Sequence, residues 1–323
     1  MDHPFMLVTH RQPDGDAIGA CLGLAEALRE GGARAQVFLW GPLPRWFSDL
    51  ADRLGKPAWS NDPFPVSWSR SDRLILLDTS DLTHCGPDGP ALDTPITMIV
   101  DHHTNTPAVA GHTIIDPHAS STCELIMRHW SAIGQVLGVP LQLSPWTAAW
   151  LALGIRTDTL AFQTSTVTSD TWRCMAACAD TGAPINETAQ RLTRSMTSLL
   201  LDLQAAIWRD RLTVGPLVVL TAQKKTLEFF GVSPNDVKVV LGYAAMASDV
   251  DIVALIVEDA ETNTYRLSVR SATPGHALAL ATRFGGGGHS MSAGATIPRT
   301  TSIARLRAAV IQAGSALFEE TTP

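Results

Sequence analysis

Apolar runs long enough to cross a bilayer are missing from the 323 residues. Stretches such as AAWLALGI (148–155) fall far short of the roughly 20 residues that a spanning helix needs. The opening MDHPFMLVTH has no basic segment ahead of an apolar one, so a strand is expected there and not a secretory signal. Five cysteines, at 21, 85, 123, 174 and 178, include no CxxC pair and no disulfide-rich pattern. Buried thiols in a cytoplasmic protein are the expectation. Basic excess is missing too. The formal net charge of −7 excludes an extended, sequence-independent grip on long DNA or RNA, which needs a basic surface. It leaves room for a short nucleotide in a local pocket. There is no internal repeat, and no low-complexity segment beyond the four glycines at 285–288.

What is present suits a globular protein with sizeable cores: 45% hydrophobic and 17% charged residues. The length accommodates two domains. FMLVTH (5–10), AQVFLW (35–40), RLILLD (73–78) and ITMIVD (96–101) are continuous apolar runs. Such runs fit strands covered on both faces of a parallel sheet. GDAIGACLGLAEALREGG (15–32) has helical spacing and a glycine stop. Further helical patterns lie at 121–134, 145–155 and 168–181. The fold class is therefore α/β, with helices on both sides of a mostly parallel sheet. Residues 184–210 read as one long helix connecting domains. Beyond it, strands are expected at 216–222, 251–259 and 264–271, and helices at 234–247, 274–283 and 301–317, forming a smaller unit.

Three of the first-half strands end in residues that bind metals. HRQPDGDAIGA places His10, Asp14 and Asp16 around a turn, LLDTSD ends in Asp78, and VDHHTN brings Asp101, His102 and His103. GIRTDT adds Asp158 after a helical stretch. Each has a bland alternative, because a lone Asp after a strand is most often a turn former or helix cap. Recurrence at four element ends favours a site, since open α/β sheets bind ligands outside the carboxyl ends of their strands. Carboxylates with a minority of imidazoles suit Mn²⁺ or Mg²⁺ and not a thiolate-rich zinc site. So many anionic groups together need cations to neutralise them. Two divalent ions about 3.5–4 Å apart form the usual clamp for attack on phosphorus and acidify a shared water, so no serine or cysteine nucleophile is required. Neighbouring side chains on an extended chain point to opposite sides. His102 and His103 are accordingly expected to diverge, one toward a metal and one toward substrate.

The four segments HRQPDGDAIGA, LLDTSD, VDHHTN and GIRTDT resemble, in order and spacing, the motifs of the DHH phosphoesterase superfamily. SVRS (268–271) and FGGGGHSMSAG (284–294) resemble its DHHA1 substrate-binding domain. The compact form looks most like the branch of oligoribonucleases (nano-RNases) and pAp phosphatases, which also contains cyclic dinucleotide phosphodiesterases. The resemblance implies a DHH domain over 1–185 on a five-stranded, mostly parallel sheet, a helical linker over 186–210 and a DHHA1 domain over 211–323. It places the active site in the cleft between the domains.

The resemblance also implies roles. His10 and Asp14 would hold one metal, Asp16, His102 and Asp158 the other, and Asp78 would bridge them. His103 would face the substrate phosphate or a metal-bound water, with Asp101 orienting an imidazole. Asn105 matches a polar position with a substrate role. The cofactor implied is a pair of Mn²⁺ ions, with Mg²⁺ as the alternative. The implied substrates are short RNA, linear dinucleotides such as pApA, and pAp. Cyclic dinucleotides, pyrophosphate and short polyphosphate stay open as alternatives, as does a non-hydrolytic nucleotide binder. Neither long nucleic acid nor a membrane is an expected partner, and a homodimer is left open.

By itself the glycine run reads equally as a flexible linker or as a phosphate cradle. With the resemblance it reads as a cradle: Gly286, Gly287, Gly288 and His289, with Arg270 and Ser271 nearby. Some positions depart from the family pattern. Ala20 follows Gly19 where a serine is common, which bears on a helix contact, and Leu160 stands where a glycine commonly follows the fourth motif. Arg11 and Arg156 flank the presumed metal site, as phosphate-binding groups or simply as exposed arginines. Most of the nine tryptophans are expected in the core, with PLPRWFSDL (42–50) as an exception in a loop.

Overall fold

The computed structural model describes residues 3–44, 46–54, 58–65, 73–103, 109–193, 198–234, 237, 239–260 and 262–320. The chain divides into two compact units, 1–195 and 196–323.

The first unit contains β1 (Phe5–Val8), α1 (Gly15–Glu30), β2 (Ala35–Phe38), α2 (Trp46–Arg53), β3 (Arg73–Leu77), β4 (Ile96–Asp101) and β5 (Ala110–Ile115). These are followed by α3 (Thr122–Arg128), α4 (Trp130–Leu137), α5 (Pro145–Asp158), α6 (Ser169–Asp180) and α7 (Ile185–Thr193). All five strands run parallel in the order β2-β1-β3-β4-β5. The continuous apolar runs follow from burial on both faces. Leu7, Val37, Ile75, Leu77, Met98 and Val100 enter one core, while Met6, Val8, Phe38, Leu74, Leu76 and Ile99 enter another on the opposite face. Each such side chain, fully buried, contributes about 1.5–3 kcal/mol. The chain order reverses between β1 and β3, so the crevice at their carboxyl ends is the topological switch point where ligands bind in such sheets.

The structure modifies several expectations. The edge strand β5 has mostly exposed or half-buried residues, so its sequence carries no continuous apolar run. The helical pattern at 121–134 is divided between α3 and α4, with His129 capping the first and starting the second. The tryptophan loop at 42–50 is instead the approach to α2, whose Phe47 and Leu50 are buried one helical turn apart. Within 184–210 the structure describes α7 and then α8 (Ser198–Arg209); residues 194–197 lie outside the described residues. Leu200, Leu203 and Ile207 of α8 join a core of the second unit.

That unit continues with β6 (Leu212–Val214), β7 (Leu217–Ala222), α9 (Lys224–Phe230), α10 (Val239–Ala244), β8 (Ile252–Asp259) and β9 (Thr264–Ser271). It ends with α11 (His276–Thr282), β10 (Gly287–His289), β11 (Ser292–Pro298) and α12 (Ile303–Glu320). Its mixed sheet has the order β10-β11-β9-β8-β7-β6. Along β8 the side chains alternate between two cores: Val253, Leu255 and Val257 on one face, Ile252, Ala254 and Ile256 on the other. Among the described residues no helix is long and apolar enough to cross a membrane. All five cysteines are buried and free.

The first unit's helices meet along a glycine seam. A Cβ on Gly19 of α1 would lie 2.5 Å from the Trp150 carbonyl of α5, and one on Gly23 would lie 2.9 Å from Leu151 Cγ. This close packing joins the amino end of α1, with Asp14 and Asp16, to α5, which ends in Asp158. Alanine at position 19 must displace backbone, whereas at position 23 a side chain can turn aside. Gly19→Ala is therefore expected to destabilise the protein by about 1–3 kcal/mol. Gly23→Ala is expected near neutral, because its helix-propensity gain of about 1 kcal/mol offsets the contact. Urea unfolding midpoints of the two variants measure the difference, and equal midpoints would refute the seam.

Candidate metal centre

The strand ends bring the acidic and imidazole groups together as three sets. Donor atoms of His10, Asp14 and Asp78 lie within 4.8 Å of one another, as do those of Asp16, His102 and Asp158, and those of Asp78, His102 and His103. Asp78 belongs to two sets, and so does His102. Asp78 directly follows β3 and lies in the left-handed region, at φ +57°, a conformation that aspartate tolerates better than most residues. Its Oδ2 lies 3.5 Å from His10 Nε2. Its Oδ1 lies 3.7 Å from both His102 Nε2 and His103 Nδ1. His102 Nε2 is also 3.4 Å from Asp158 Oδ2 and 3.9 Å from Asp16 Oδ2.

Local hydrogen bonds aim several of these groups. His10 Nδ1 is 3.1 Å from the Arg11 carbonyl, which suits a proton on Nδ1 and leaves Nε2 as a ligand atom. Asp14 is the helix cap that its bland reading anticipates: Oδ1 accepts from the Asp16 and Ala17 N–H groups. Its other oxygen lies outside that cap, so the capping role leaves a donor atom over. Asp16 is buried and accepts from the backbone N–H groups of Thr122 and Cys123, at 2.6 and 3.0 Å. Gly154 makes room for it, since a Cβ there would lie 2.8 Å from Asp16 Oδ1. Asp101 Oδ1 accepts from the His103 backbone N–H at 3.1 Å and pairs with its ring Nδ1 at 2.8 Å.

The expected divergence of the two histidines is corrected. β4 ends at Asp101, so the alternation of an extended strand stops before them. Their rings pack edge to face with centroids 4.4 Å apart, and both reach the same oxygen of Asp78.

Several titrations are displaced by this crowding. Burial, then repulsion from Asp16, Asp14 and Asp158, raises the Asp78 carboxyl well above its ordinary value, against a lowering hydrogen bond from Thr122. Burial and the charges of Asp16 and Asp14 push Asp158 up to about 8. Burial also opposes ionisation of Asp101, but the His103 hydrogen bonds outweigh it and hold this carboxyl below the usual range. Its hydrogen bond to Asp101 raises His103 in turn.

Among the described residues no lysine or arginine forms an ion pair with Asp14, Asp16, Asp78 or Asp158; only the histidines face them. Crowded, partly buried carboxylates without a basic partner, mixed with imidazole nitrogens, fit divalent ions of the Mn²⁺ or Mg²⁺ kind.

The remaining sequence candidates lie elsewhere or do other work. Asn105 lies outside the described residues. Arg11 is exposed, with its stem against Gly86, where a Cβ would lie 2.8 Å from Arg11 Cδ. Arg156 lies in the last turn of α5. Leu160 has φ +48°, followed by Ala161 and Phe162 at +58° and +69°. Three left-handed residues without glycine are costly, and neighbouring hydrogen bonds hold them: Ala161 N–H to the Arg156 carbonyl and Phe162 N–H to Thr159 Oγ1.

In the second unit, Arg270 and Ser271 end β9. Arg270 is opposite Ser292 of β11, which is opposite His289 of β10. Arg270 is half-buried, and burial lowers its pKa. Ser271 Oγ donates to the Thr273 carbonyl and accepts from Ala277 N–H, so its hydroxyl serves its own loop. The glycine run enters β10 and is not a free linker. Gly288 has φ +135°, and a Cβ there would lie 2.7 Å from the Ala293 Cα; a Cβ on Gly286 would strike the Gly294 carbonyl.

Sequence reasoning placed a helix from 121 but missed what its first turn touches: Thr122 donates to Asp78 Oδ1 at 2.9 Å and its N–H to Asp16. The spacing of Ser121 and Glu124 marks a helix start, but nothing local signals contact with a residue 106 positions away.

The sign of the pH dependence follows from Asp78 and Asp158. Without divalent ions, the folded state keeps protons on carboxyls that the unfolded state releases near pH 4, so stability falls as pH rises from about 4 to about 8. Ion binding ionises these groups, so its stabilisation grows over the same window. Thermal unfolding with EDTA or Mn²⁺, at about pH 5.5 and about pH 8, is expected to show a larger Mn²⁺ increment at the higher pH. An increment independent of pH would contradict the assignment.

Residues 4–155 match the family model described as the DHH family, N-terminal domain, and residues 217–315 match the DHHA1 domain. The chain is 24% identical over 310 residues to the bifunctional oligoribonuclease and PAP phosphatase NrnA of Thermus thermophilus, covering 92% of this chain and 85% of that protein. It is 26% identical over 297 residues to the protein of the same name from Bacillus subtilis, covering 90% and 88%. The crystal structure of an exopolyphosphatase-related protein from Bacteroides fragilis has the same fold, with a TM-score of 0.79 at 20% identity, covering 98% of this chain and 92% of that one. With both domain models matched in order, the chain belongs to the DHH/DHHA1 superfamily of metal-dependent phosphoesterases.

Proposed function

We propose that this protein hydrolyses phosphoester bonds in very short oligonucleotides, such as linear dinucleotides, and in pAp. The observation that carries this reading is a chain of shared donors: Asp78 joins the His10 and Asp14 set to His102, and His102 joins it in turn to the set of Asp16 and Asp158. His10 and Asp14 would hold one ion and Asp16, His102 and Asp158 the other, with one oxygen of Asp78 toward each. Mn²⁺ is the preferred ion. Bound there, the pair supplies charge neutralisation at a phosphate and acidifies water near neutral pH. The two curated relatives support the substrate class, since their names carry both activities and they align along nine-tenths of the chain.

The chain's own residues do the rest. Asp101 holds the proton at His103 Nδ1, which leaves Nε2 as the reactive nitrogen of that ring. With its pKa raised, His103 keeps a second proton to higher pH and donates it to a phosphate or leaving oxygen. In the second unit, Arg270 has no carboxylate partner among the described residues and serves as the grip for a terminal phosphate. The Gly286 N–H is already given to the Ala281 carbonyl, so further N–H donors from the glycine run would come from Gly287 and Gly288. Five buried free thiols suit a reducing, cytoplasmic setting.

The test is a panel of pApA, pAp, a cyclic dinucleotide and pyrophosphate, each with Mn²⁺ and with Mg²⁺. Turnover of pApA or pAp with Mn²⁺ is expected to exceed that of the other two. Asp78→Ala is expected to reduce it by a hundredfold or more, on the order of losing an ion ligand. Preferential pyrophosphate release in the wild type would sink the substrate reading, and near-normal activity of Asp78→Ala would sink the bridge.

A further inference from the structure

The segment from Ala119 to Glu124 belongs to none of the donor sets, yet it touches three of their members. Thr122 and Cys123 give their N–H groups to the two oxygens of Asp16. The Thr122 hydroxyl donates to Asp78 Oδ1 at 2.9 Å. The Ala119 carbonyl lies 3.4 Å from His102 Nδ1, on the ring edge opposite the nitrogen that faces the carboxylates. Residues 119–124 are at most 1% exposed, so water cannot replace these contacts.

Asp78 is where this matters most. A carboxylate that serves two ions through different oxygens needs its plane fixed, because rotation about Cβ–Cγ exchanges the surroundings of Oδ1 and Oδ2. Its backbone, held at φ +57° with its N–H on the Val100 carbonyl, fixes Cα but not that torsion. The histidines around it stand 3.5–3.7 Å away, too far for strong hydrogen bonds. The Thr122 hydroxyl is the short contact that distinguishes one oxygen from the other.

We propose that Thr122 is a positioning residue for the two-ion site: its hydroxyl sets the plane of Asp78 while its N–H anchors Asp16, tying the two donor sets together. This rests on the two-ion reading above. Glu124 holds the segment in place. Its Oε2 accepts from Ser120 N–H at 3.3 Å, from the Ser120 hydroxyl at 2.5 Å and from the Thr171 hydroxyl of α6 at 2.7 Å. Groups that orient ligands from behind typically govern metal affinity by about 10–100-fold.

The experiment titrates the full-length protein with Mn²⁺, by calorimetry and electron paramagnetic resonance, for the wild type, Thr122→Val and Thr122→Ser. The wild type is expected to bind two ions and to show a spin-coupled pair. Thr122→Val keeps the shape without the hydroxyl, so its weaker step is expected to lose about 10–100-fold in affinity, with loss of the coupled signal. Thr122→Ser restores the hydroxyl and is expected to restore both. Should the valine variant not fold, Thr122→Ala against Thr122→Ser isolates the same oxygen. Wild-type binding by Thr122→Val, or failure of serine to rescue, overturns the inference while leaving the two-ion reading intact. A wild type that binds no Mn²⁺ overturns that reading and the inference with it.

Discussion

Repulsion among Asp14, Asp16, Asp78 and Asp158 is the constraint around which the first unit is organised. Burial first, and then the resistance of such close carboxylates to ionising together, keeps protons on Asp78 and Asp158 above the ordinary range. A fold can carry such a cluster only if other parts of the molecule fix its members against their mutual repulsion. Here the fixing comes from backbone: the N–H groups at the start of α3 on Asp16, the cap of α1 on Asp14, and the left-handed conformation of Asp78 directly after β3.

Those anchors in turn depend on packing far from any charge. A sheet buried on both faces sets the strand ends at a common level, and the reversal of strand order between β1 and β3 opens a crevice there. The glycine seam lets α5 lie directly against α1, which brings Asp158 beside Asp16 although 142 residues separate them in the chain (158 − 16). Gly154 is part of both arrangements, since it faces the Asp16 carboxylate from within α5. Stability and chemistry thus share residues. The protein tolerates an electrostatically unfavourable cluster because nonpolar burial elsewhere exceeds its cost, and divalent ions relieve the repulsion when bound.

The second unit shows how one local pattern supports opposite structures. Four glycines read equally well as a loose tether or as ordered backbone. Pairing of β10 with β11 decides for order, since Gly286 and Gly288 sit where the backbone of β11 passes too close for any Cβ. Ser271 carries a comparable lesson: its hydroxyl is already engaged within its own loop, so a polar side chain in a suggestive motif is not thereby available to a ligand. Arg270, half-buried one residue earlier, keeps the stronger claim to an anion.

The sequence by itself determined the α/β class, the strands at 73–77 and 96–101 to within a residue, and the ordered motif set. Continuous apolar runs and acidic strand ends are local properties that two-faced burial imposes on the chain. It could not determine the edge strand β5, whose exposure removes the apolar signal, or the paths of His102 and His103, which depend on where β4 stops. Nor could it find Thr122. That residue lies 44 positions from Asp78 and 106 from Asp16, and its hydrogen bonds exist only because α3 packs beside α1 and α5. Residue types and their order are written along the chain, but which oxygen faces which donor is decided by tertiary contact.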